Sequence, residues 1–251
     1  MDKKALATVV SNFETEGELF IKGSRNTIKL FKVDGLLVNI KSFQKPGLIK
    51  KIIYKYFRQS KAKRSFEFGN RLIEHGFLTP KPIGFIENFD FIGLKDSYFC
   101  CEHLKNSFTI GTVFMDPNFE NREQILRGFA RFFYQMHQAG IQFLDNSLGN
   151  TLVVHNNDTF NYYLVDLNRM KFDVQMNGFE RMKNLSRLTL DRGVLTTIAN
   201  EYSTLYQQET EKELYTILEK LTVKFHLNLA RKRQFKKMRL FDLNNLDALN
   251  T

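Results

Sequence analysis

The stretch that decides the fold is FLDNSLGNTLVV, residues 143–154, which places Asp145 five residues before Asn150 and then enters a β-branched apolar run. Alone, this pair is a weak signal, because a chain rich in Asp and Asn contains about one such spacing by chance. The surrounding sequence must therefore distinguish a surface turn before a strand from a loop that holds a catalytic base and a metal ligand.

A second predicted strand, within NYYLVDLN at residues 161–168, follows the first across a polar turn and ends at Asp166. A hairpin brings its far end back beside its starting point, so Asp166 and Asn150 are expected to share a site. Two oxygen side chains next to Asp145 suit Mg²⁺ that is coordinated to a phosphate. The hairpin therefore predicts a metal site.

The first hundred residues read mainly as strands. Apolar and polar residues alternate through GELFIKGSRNTIKLFKVDGLLVNIKSF, residues 17–43, with breaks at Gly23 and at the pair Asp34 and Gly35. An Asp-Gly pair between alternating runs is a strong hairpin signal. The pattern predicts an antiparallel meander.

A single helix is predicted after this meander, over residues 61–76, with Phe66, Asn70 and Ile73 at helical spacing. Two further apolar runs follow it, around residues 83–86 and 98–101, and we interpret both as strands. The first part of the chain is therefore predicted to contain strands, one helix and further strands.

Beyond residue 106 the composition shifts, and residues 121–140 form an amphipathic helical pattern that stops at Gly140. The small hairpin and a mostly helical remainder follow. We therefore predict an α+β protein with a small antiparallel, strand-rich lobe over residues 1–104 and a mainly helical lobe over residues 105–251.

This order, a long helix ending in MHQAG, an Asp-x4-Asn loop, a hairpin and an Asp at its end, resembles the protein-kinase-like fold. In that superfamily the loop Asp accepts the proton of the substrate hydroxyl, the Asn holds metal, and the later Asp holds metal that bridges the phosphates. The resemblance implies that Asp145 is catalytic and that Asn150 and Asp166 are metal ligands.

The resemblance also implies a nucleotide site in the first lobe. Lys41 ends LLVNIK, which is similar to the Val-Ala-Ile-Lys of kinases, and would bind ATP phosphates while an ion pair with Glu67 holds it extended. Glu74 is the second choice for this partner. Glu102 and Leu104 fall where the lobes would be hinged, so their backbone groups would meet the adenine.

Within the superfamily, the chain resembles the bacterial lipopolysaccharide core kinases, the Kdo and heptose kinase group, over roughly residues 15–240. RSFEFGNRLIEHGFLTPKPIGF, MHQAGIQFLDNSLGN and VDLNRMKF carry the resemblance, the last with Asp-Leu-Asn in place of Asp-Phe-Gly. It implies an ATP- and Mg²⁺-dependent transfer of phosphate to a sugar hydroxyl of the inner core. The partner would be the core glycolipid on the cytoplasmic face of the inner membrane.

Two departures from the kinase pattern leave a second function open. Phe143 stands where the catalytic loop commonly has His. The glycine loop has Gly17 and Gly23 but no Gly-x-Gly-x-x-Gly, and of these the resemblance implies that Gly23 contacts the nucleotide. Both departures favour a catalytically weak pseudokinase that binds a nucleotide or a partner at the membrane. The retained Lys41 and Asp145 oppose that alternative.

The formal net charge of +10 favours an anionic partner. Two basic stretches with interleaved apolar residues, 45–64 and 230–239, are expected either to contact the anionic inner membrane or to form solvated faces. The 25 Phe follow core periodicity, so a nucleic-acid partner is not expected, although the charge keeps that alternative open.

The remaining composition predicts a cytoplasmic protein. The first residues have no long apolar core, and no stretch approaches the roughly 20 apolar residues that span a bilayer. Cys100 and Cys101 are adjacent, which disfavours a disulfide between them and suggests a reducing compartment. We expect both cysteines to be small buried residues.

Overall fold

The computed structural model describes the backbone of residues 3–157 and 159–249 and the side chains of residues 4–157 and 159–235. Its helices and strands occur in the order α1 (Lys3–Ser11), β1 (Glu18–Lys22), β2 (Asn26–Val33), β3 (Leu36–Phe43), α2 (Leu48–Tyr56), α3 (Lys61–Glu74), β4 (Pro82–Phe89), β5 (Leu94–Glu102), β6 (Ser107–Thr109), α4 (Ile110–Met115), α5 (Arg122–Gln138), β7 (Gln142–Phe143), β8 (Thr151–Asn156), β9 (Thr159–Leu164), β10 (Met170–Lys171), α6 (Gly178–Leu185), α7 (Arg192–Leu205) and α8 (Glu211–Leu249).

The first strands form a five-stranded antiparallel sheet in the order β1-β2-β3-β5-β4. The hairpin predicted at the Asp-Gly pair is present: Val33 lies opposite Leu36, and Asp34 and Gly35 have φ of 49° and 77°. Positive φ at both turn residues matches the right-handed twist of the flanking strands. The α+β fold class predicted from the sequence is confirmed.

One face of this sheet is covered by α1, whose Leu6 and Val10 are buried together with Phe31, Val38 and Cys100. Both Val38 and Cys100 are completely buried, as expected for inward-facing positions on neighbouring strands. Cys100 and Cys101 are free and buried, as predicted.

The structure corrects the prediction of a single helix before residue 104, because α1 and α2 precede α3. The buried face of α3 consists of the small residues Ala62, Ser65 and Gly69 with Leu72. A Cβ at Gly69 would stand 2.7 Å from Cγ of Pro82, so glycine allows α3 to pack closely against β4.

The predicted small hairpin is formed by β8 and β9, with Thr151 opposite Leu164. The backbone N–H of Leu164 donates to the carbonyl of Leu78 at 3.0 Å, and Thr79 Oγ1 donates to the carbonyl of Leu164 at 2.7 Å. These bonds hold the hairpin next to the segment between α3 and β4.

Contacts divide the chain into two compact units. The first, unit 1, comprises residues 1–110, 143–145 and 149–171, and the second, unit 2, comprises residues 111–142, 146–148 and 172–251. Unit 1 therefore contains the hairpin as well as the N-terminal sheet. The lobe boundary between residues 104 and 105 stays a prediction.

Unit 2 is built on helices, and its α5 confirms the amphipathic pattern of residues 121–140. Phe129, Phe133 and Met136 on this helix are completely buried. None of the described helices combines the length and the apolar character that a membrane crossing requires. The second basic stretch lies on α8, but its side chains from residue 236 onward lie outside the described residues.

Candidate active site

The hairpin brings Asn150 and Asp166 to the same end of its two strands. The backbone N–H of Val165 donates to the carbonyl of Asn150 at 3.0 Å, directly before Asp166. Nδ2 of Asn150 donates to the carbonyl of Asp145 at 2.8 Å and so ties the hairpin to the preceding loop. The three polar residues predicted from the sequence are therefore neighbours, linked through the backbone and one side chain.

Asp166 has an unusual backbone conformation, with φ of 61° in the left-handed region. Asp tolerates this region better than most residues, and strained positions cluster at functional sites. Its Oδ1 accepts from Lys41 Nζ at 2.7 Å and from Asn168 Nδ2 at 2.6 Å. The carboxylate is thus oriented by one cation and one amide.

Asp145 is paired with a cation from the segment that follows Asp166. Its Oδ1 accepts from Nη1 of Arg169 at 3.0 Å, and the backbone N–H of Leu144 donates to the carbonyl of Arg169 at 3.0 Å. Sequence reasoning missed Arg169, although its position in VDLNRMKF, three residues after Asp166, offered a signal. Phe143, at the usual His position, is completely buried.

Lys41 lies on β3, opposite Phe99, and its side chain is only 13% exposed. Its ammonium stands 5.3 Å from the centre of the Phe43 ring. Within the described residues it forms its ion pair with Asp166, so the predicted pairing with Glu67 is corrected. Glu67 is 41% exposed on α3 and contacts Lys63 and Gln59, because α3 packs through its face of small residues.

Lys61 is a second lysine beside the Phe43 ring, and sequence reasoning missed it. It is the first residue of α3, and its Nζ lies 5.8 Å from the centre of the same Phe43 ring. Burial lowers the pKa of Lys61, the charge of Asp166 raises it, and the charge of Lys41 lowers it further. Its position directly after Ser60, the N-cap of α3, could have indicated this residue in the sequence.

A cavity of about 460 Å³ adjoins these residues, a volume typical of small-molecule sites. Its walls include six of the eight predicted site residues: Gly23, Lys41, Glu102, Leu104, Asn150 and Asp166. Asp145 and Glu67 are not among the lining residues. All residues of the cavity wall belong to unit 1.

The cavity wall also includes apolar side chains from β5 and from the segment after it, namely Phe99, Leu104 and Phe108. The N–H of Glu102 donates to the carbonyl of Lys81 at 3.0 Å, and the N–H of His103 donates to the carbonyl of Leu37 at 2.8 Å. This segment is therefore fixed to its neighbours, and it combines flat apolar walls with backbone polar groups.

The part of the cavity wall formed by Lys41, Asn150 and Asp166, its polar end, has oxygen ligands that fit Mg²⁺ bound with a phosphate. No group of three or more His, Cys, Asp or Glu side chains forms a metal cage within the described part of the chain. Mg²⁺ is usually held by one or two carboxylates together with substrate phosphates. One carboxylate, from Asp166, and one amide, from Asn150, match that requirement.

Comparison with known proteins identifies the family. The model of the lipopolysaccharide kinase (Kdo/WaaP) family matches residues 28–214, which is more than half of the chain. Comparison with curated proteins gives no match.

Among solved structures, the chain is similar to "WaaP in complex with acyl carrier protein", with a TM-score of 0.60 and 17% identity over 89% of this chain and 92% of that chain. It is also similar to the MAP kinase LmaMPK10 from Leishmania major, with a TM-score of 0.42 and 14% identity over 86% of this chain and 66% of that chain. At 17% identity the WaaP similarity concerns the fold. The family match includes Lys41, Asp145, Asn150 and Asp166, and the chain belongs to the lipopolysaccharide kinase (Kdo/WaaP) family.

Proposed function

We propose that this protein is an ATP-dependent kinase that transfers the γ-phosphate to a sugar hydroxyl, of Kdo or heptose, in the inner core of lipopolysaccharide. One observation carries the proposal: Lys41, Asn150 and Asp166 meet at the polar end of a nucleotide-sized cavity. Membership of the lipopolysaccharide kinase family supports the acceptor class. The proposed setting is the cytoplasmic face of the inner membrane, with peripheral contact to anionic lipid.

The cavity would hold ATP with the adenine at its apolar end, near Glu102 and Leu104, and the phosphates at its polar end. Lys41, which is paired with Asp166 at 2.7 Å, would bind the phosphates. Gly23 lines the same wall, where the N–H of Gly23 donates to the carbonyl of Asn26 at 3.0 Å. Glu67 is not among the residues that line the cavity, so we assign the nucleotide no contact with it.

Asn150 and Asp166 would hold Mg²⁺, which supplies neutralisation of the charge on the phosphate oxygens. The chain's own part is to fix these two ligands. Asn168 and Lys41 orient the carboxylate of Asp166. The hydrogen bond from Asn150 to the carbonyl of Asp145 fixes the proposed metal ligand relative to the proposed base.

Asp145 would accept the proton of the acceptor hydroxyl as its oxygen bonds to the γ-phosphorus and the bond from phosphorus to the ADP oxygen breaks. Arg169 holds the Asp145 carboxylate at 3.0 Å and so limits the orientations that this base can adopt. Catalysis in such a site comes mainly from positioning and electrostatic stabilisation.

The test is transfer of label from γ-labelled ATP to unphosphorylated core lipooligosaccharide in the presence of Mg²⁺. We expect Asp145→Asn to lower kcat on the order of 10³-fold, because general-base catalysis contributes about 10² to 10⁴. Asp116→Asn makes the same chemical change at an exposed position and is expected to leave transfer intact. Cores that lack heptose or carry Kdo alone would identify the acceptor sugar.

A pseudokinase that binds a nucleotide or partner at the membrane is the second candidate. Two observations favour it: the buried Phe143 at the usual His position, and Lys41 pairing with Asp166 instead of Glu67. Binding of Mg²⁺-ATP without transfer to any core glycolipid would support this candidate. Absence of nucleotide binding would contradict both.

A further inference from the structure

Helix α2 presents its apolar side to solvent, the reverse of an ordinary surface helix. None of its residues is buried, and Ile49 and Leu48 are 77% and 66% exposed. At 3.6 residues per turn, Leu48, Ile49, Ile52, Ile53 and Tyr56 fall within an arc of about 140°. The helix therefore has a continuous apolar stripe that the fold leaves uncovered.

The opposite side of α2 is polar and faces the protein. Lys51 forms an ion pair with Asp90, in the connection between β4 and β5, and Lys55 Nζ donates to the carbonyl of Phe91 at 3.4 Å. A Cβ at Gly93 would stand 2.4 Å from the carbonyl oxygen of Lys51, so glycine permits this close approach. These contacts fix the helix with its stripe outward.

The same contacts place a second apolar element beside the stripe. Phe91, at the tip of the connection between β4 and β5, is 91% exposed, and Phe57, directly after α2, is 82% exposed. Two separate parts of the chain thus expose large apolar side chains on neighbouring segments. Contiguous exposed apolar surface on this scale marks an interaction site.

Basic residues flank the stripe, and acidic residues are missing from its sequence. Lys50 and Lys55 lie on either edge of the apolar arc, and Arg58 follows Phe57; all three are exposed. Residues 44–66 contain no Asp or Glu. A second copy of this chain would bring these like charges together, which disfavours a dimer through this surface.

We propose that α2 and the tip at Phe91 form a docking surface for an anionic lipid bilayer, with the apolar stripe in the interface and the flanking basic residues on the lipid headgroups. Amphipathic helices with apolar and basic faces bind membranes in this way. The surface is separate from the cavity, so this inference does not depend on the proposed reaction.

Because the chain contains no Trp, a single introduced indole reports on its own surroundings. We expect the emission of Phe57→Trp and of Phe91→Trp to shift to the blue when vesicles of phosphatidylcholine and phosphatidylglycerol are added. Phe179→Trp, on α6 and 48% exposed in the parent chain, is the matched control and is expected not to shift. Equal shifts at all three positions, or none, would overturn the proposal.

Two triple variants, each of which removes three positive charges, test whether the basic residues beside the stripe bind the lipid headgroups. Lys50→Gln with Lys55→Gln and Arg58→Gln should weaken vesicle binding on the order of a hundredfold, since each basic residue near the surface contributes about fivefold. The control removes the same three charges from exposed positions of α8, through Lys212→Gln, Lys220→Gln and Lys224→Gln. It is expected to change binding less than tenfold.

Equal weakening in both triple variants would mean that net charge alone attracts the vesicles, and would refute the surface. A blue shift of Phe57→Trp that requires only higher protein concentration, together with a doubled mass in solution, would assign the surface to a second copy and also refute it. Far-ultraviolet circular dichroism and the melting temperature of each variant show whether the fold is retained.

Discussion

At the scale of single residues, Lys61 and Lys63 lie two positions apart on α3 but in different surroundings. Lys61 stands beside Phe43 and interacts with Asp166 and Lys41, whereas Lys63 lies 3.9 Å from Glu67 on the surface. Lys61 does not line the cavity, but its charge acts on Asp166 and Lys41, which do, so we expect Lys61→Gln to raise the KM for ATP roughly fivefold, the effect of about 1 kcal/mol of charge interaction. Steady-state kinetics at saturating acceptor measure this change.

Lys63→Gln removes the same charge from the same helix and is expected to leave the KM for ATP within twofold of the wild-type value. An equal rise in both variants would show that general electrostatics, and not the position of Lys61, affects nucleotide binding. Melting temperatures would reveal whether the loss of Lys61 disturbs the fold around Asp166.

The site shows which residue contacts a sequence can predict. Asn150 and Asp166 meet because a hairpin with Thr151 opposite Leu164 must join its ends, and that register follows from a short polar turn. The partner of Lys41 could not be predicted in this way. It depends on which face of α3 packs inward, and Gly69 and Ser65 take that face in place of the larger Phe66.

At the scale of helices, one buried histidine ties three elements of unit 2. His137 on α5 contacts Tyr202 on α7 through Nδ1 at 2.8 Å and Asn184 on α6 through Nε2 at 3.0 Å. Because Nε2 faces the Oδ1 of Asn184, it donates, and Nδ1 then accepts from the Tyr202 hydroxyl. These two bonds match a neutral imidazole.

Because this buried imidazole is neutral in the folded state, the stability of the protein depends on pH. Burial lowers the pKa of His137 to about 4 from 6.5, with a further lowering by the Arg181 charge, while the bond with Asn184 opposes the change. Between pH 6.5 and about 4 the unfolded state binds more protons at this residue than the folded state does. The stabilisation is thus complete above pH 6.5 and is lost as the pH falls to about 4.

We expect this loss to be roughly 3 kcal/mol in the free energy of unfolding. Urea unfolding across that pH range measures it, and His137→Gln should show a correspondingly flatter pH dependence. His155→Gln, at an exposed histidine, should retain the wild-type dependence. If His137→Gln and the wild type lose the same stability on acidification, His137 is not the group responsible.

The sequence predicted those elements in which the regularly spaced apolar residues are also the buried ones. The alternation around Val38 and Ile40 in β3 and the buried stripe of α5 follow this rule. Helix α2 breaks the rule, because its apolar residues face solvent, whereas Lys51 faces the protein and is paired to Asp90. A pattern analysis that looks for a core-facing stripe therefore gave a basic stretch there instead of a helix.

At the scale of the whole molecule, the compact units do not follow the chain order. Unit 1 gathers the N-terminal sheet and the hairpin from distant parts of the sequence, and it contains every residue of the cavity wall. The boundary predicted between residues 104 and 105 divides the chain by sequence position and stays a prediction. The sequence did predict that Asn150 and Asp166 lie close together, because both stand at the same end of the hairpin strands.

Because unit 1 is discontinuous in sequence, we expect nucleotide binding to protect segments that are far apart along the chain. Ligand that binds only the folded state stabilises it by about 2.7 kcal/mol at a hundred times its Kd, and local opening around the ligand is suppressed with it. With Mg²⁺ and a non-hydrolysable ATP analogue, we expect slower amide hydrogen exchange in residues 20–28, 99–109 and 149–167. These segments are far apart in sequence but line one cavity.

Residues 178–205, which form α6 and α7 in unit 2, serve as the internal control and should exchange at an unchanged rate. Asp145→Asn should keep the protection, because Asp145 does not line the cavity, whereas Asp166→Asn should reduce it by removing the carboxylate that we propose as a ligand of Mg²⁺. Protection confined to α6 and α7 would place the nucleotide elsewhere. Protection in only one of the three segments would mean that they do not form a common site.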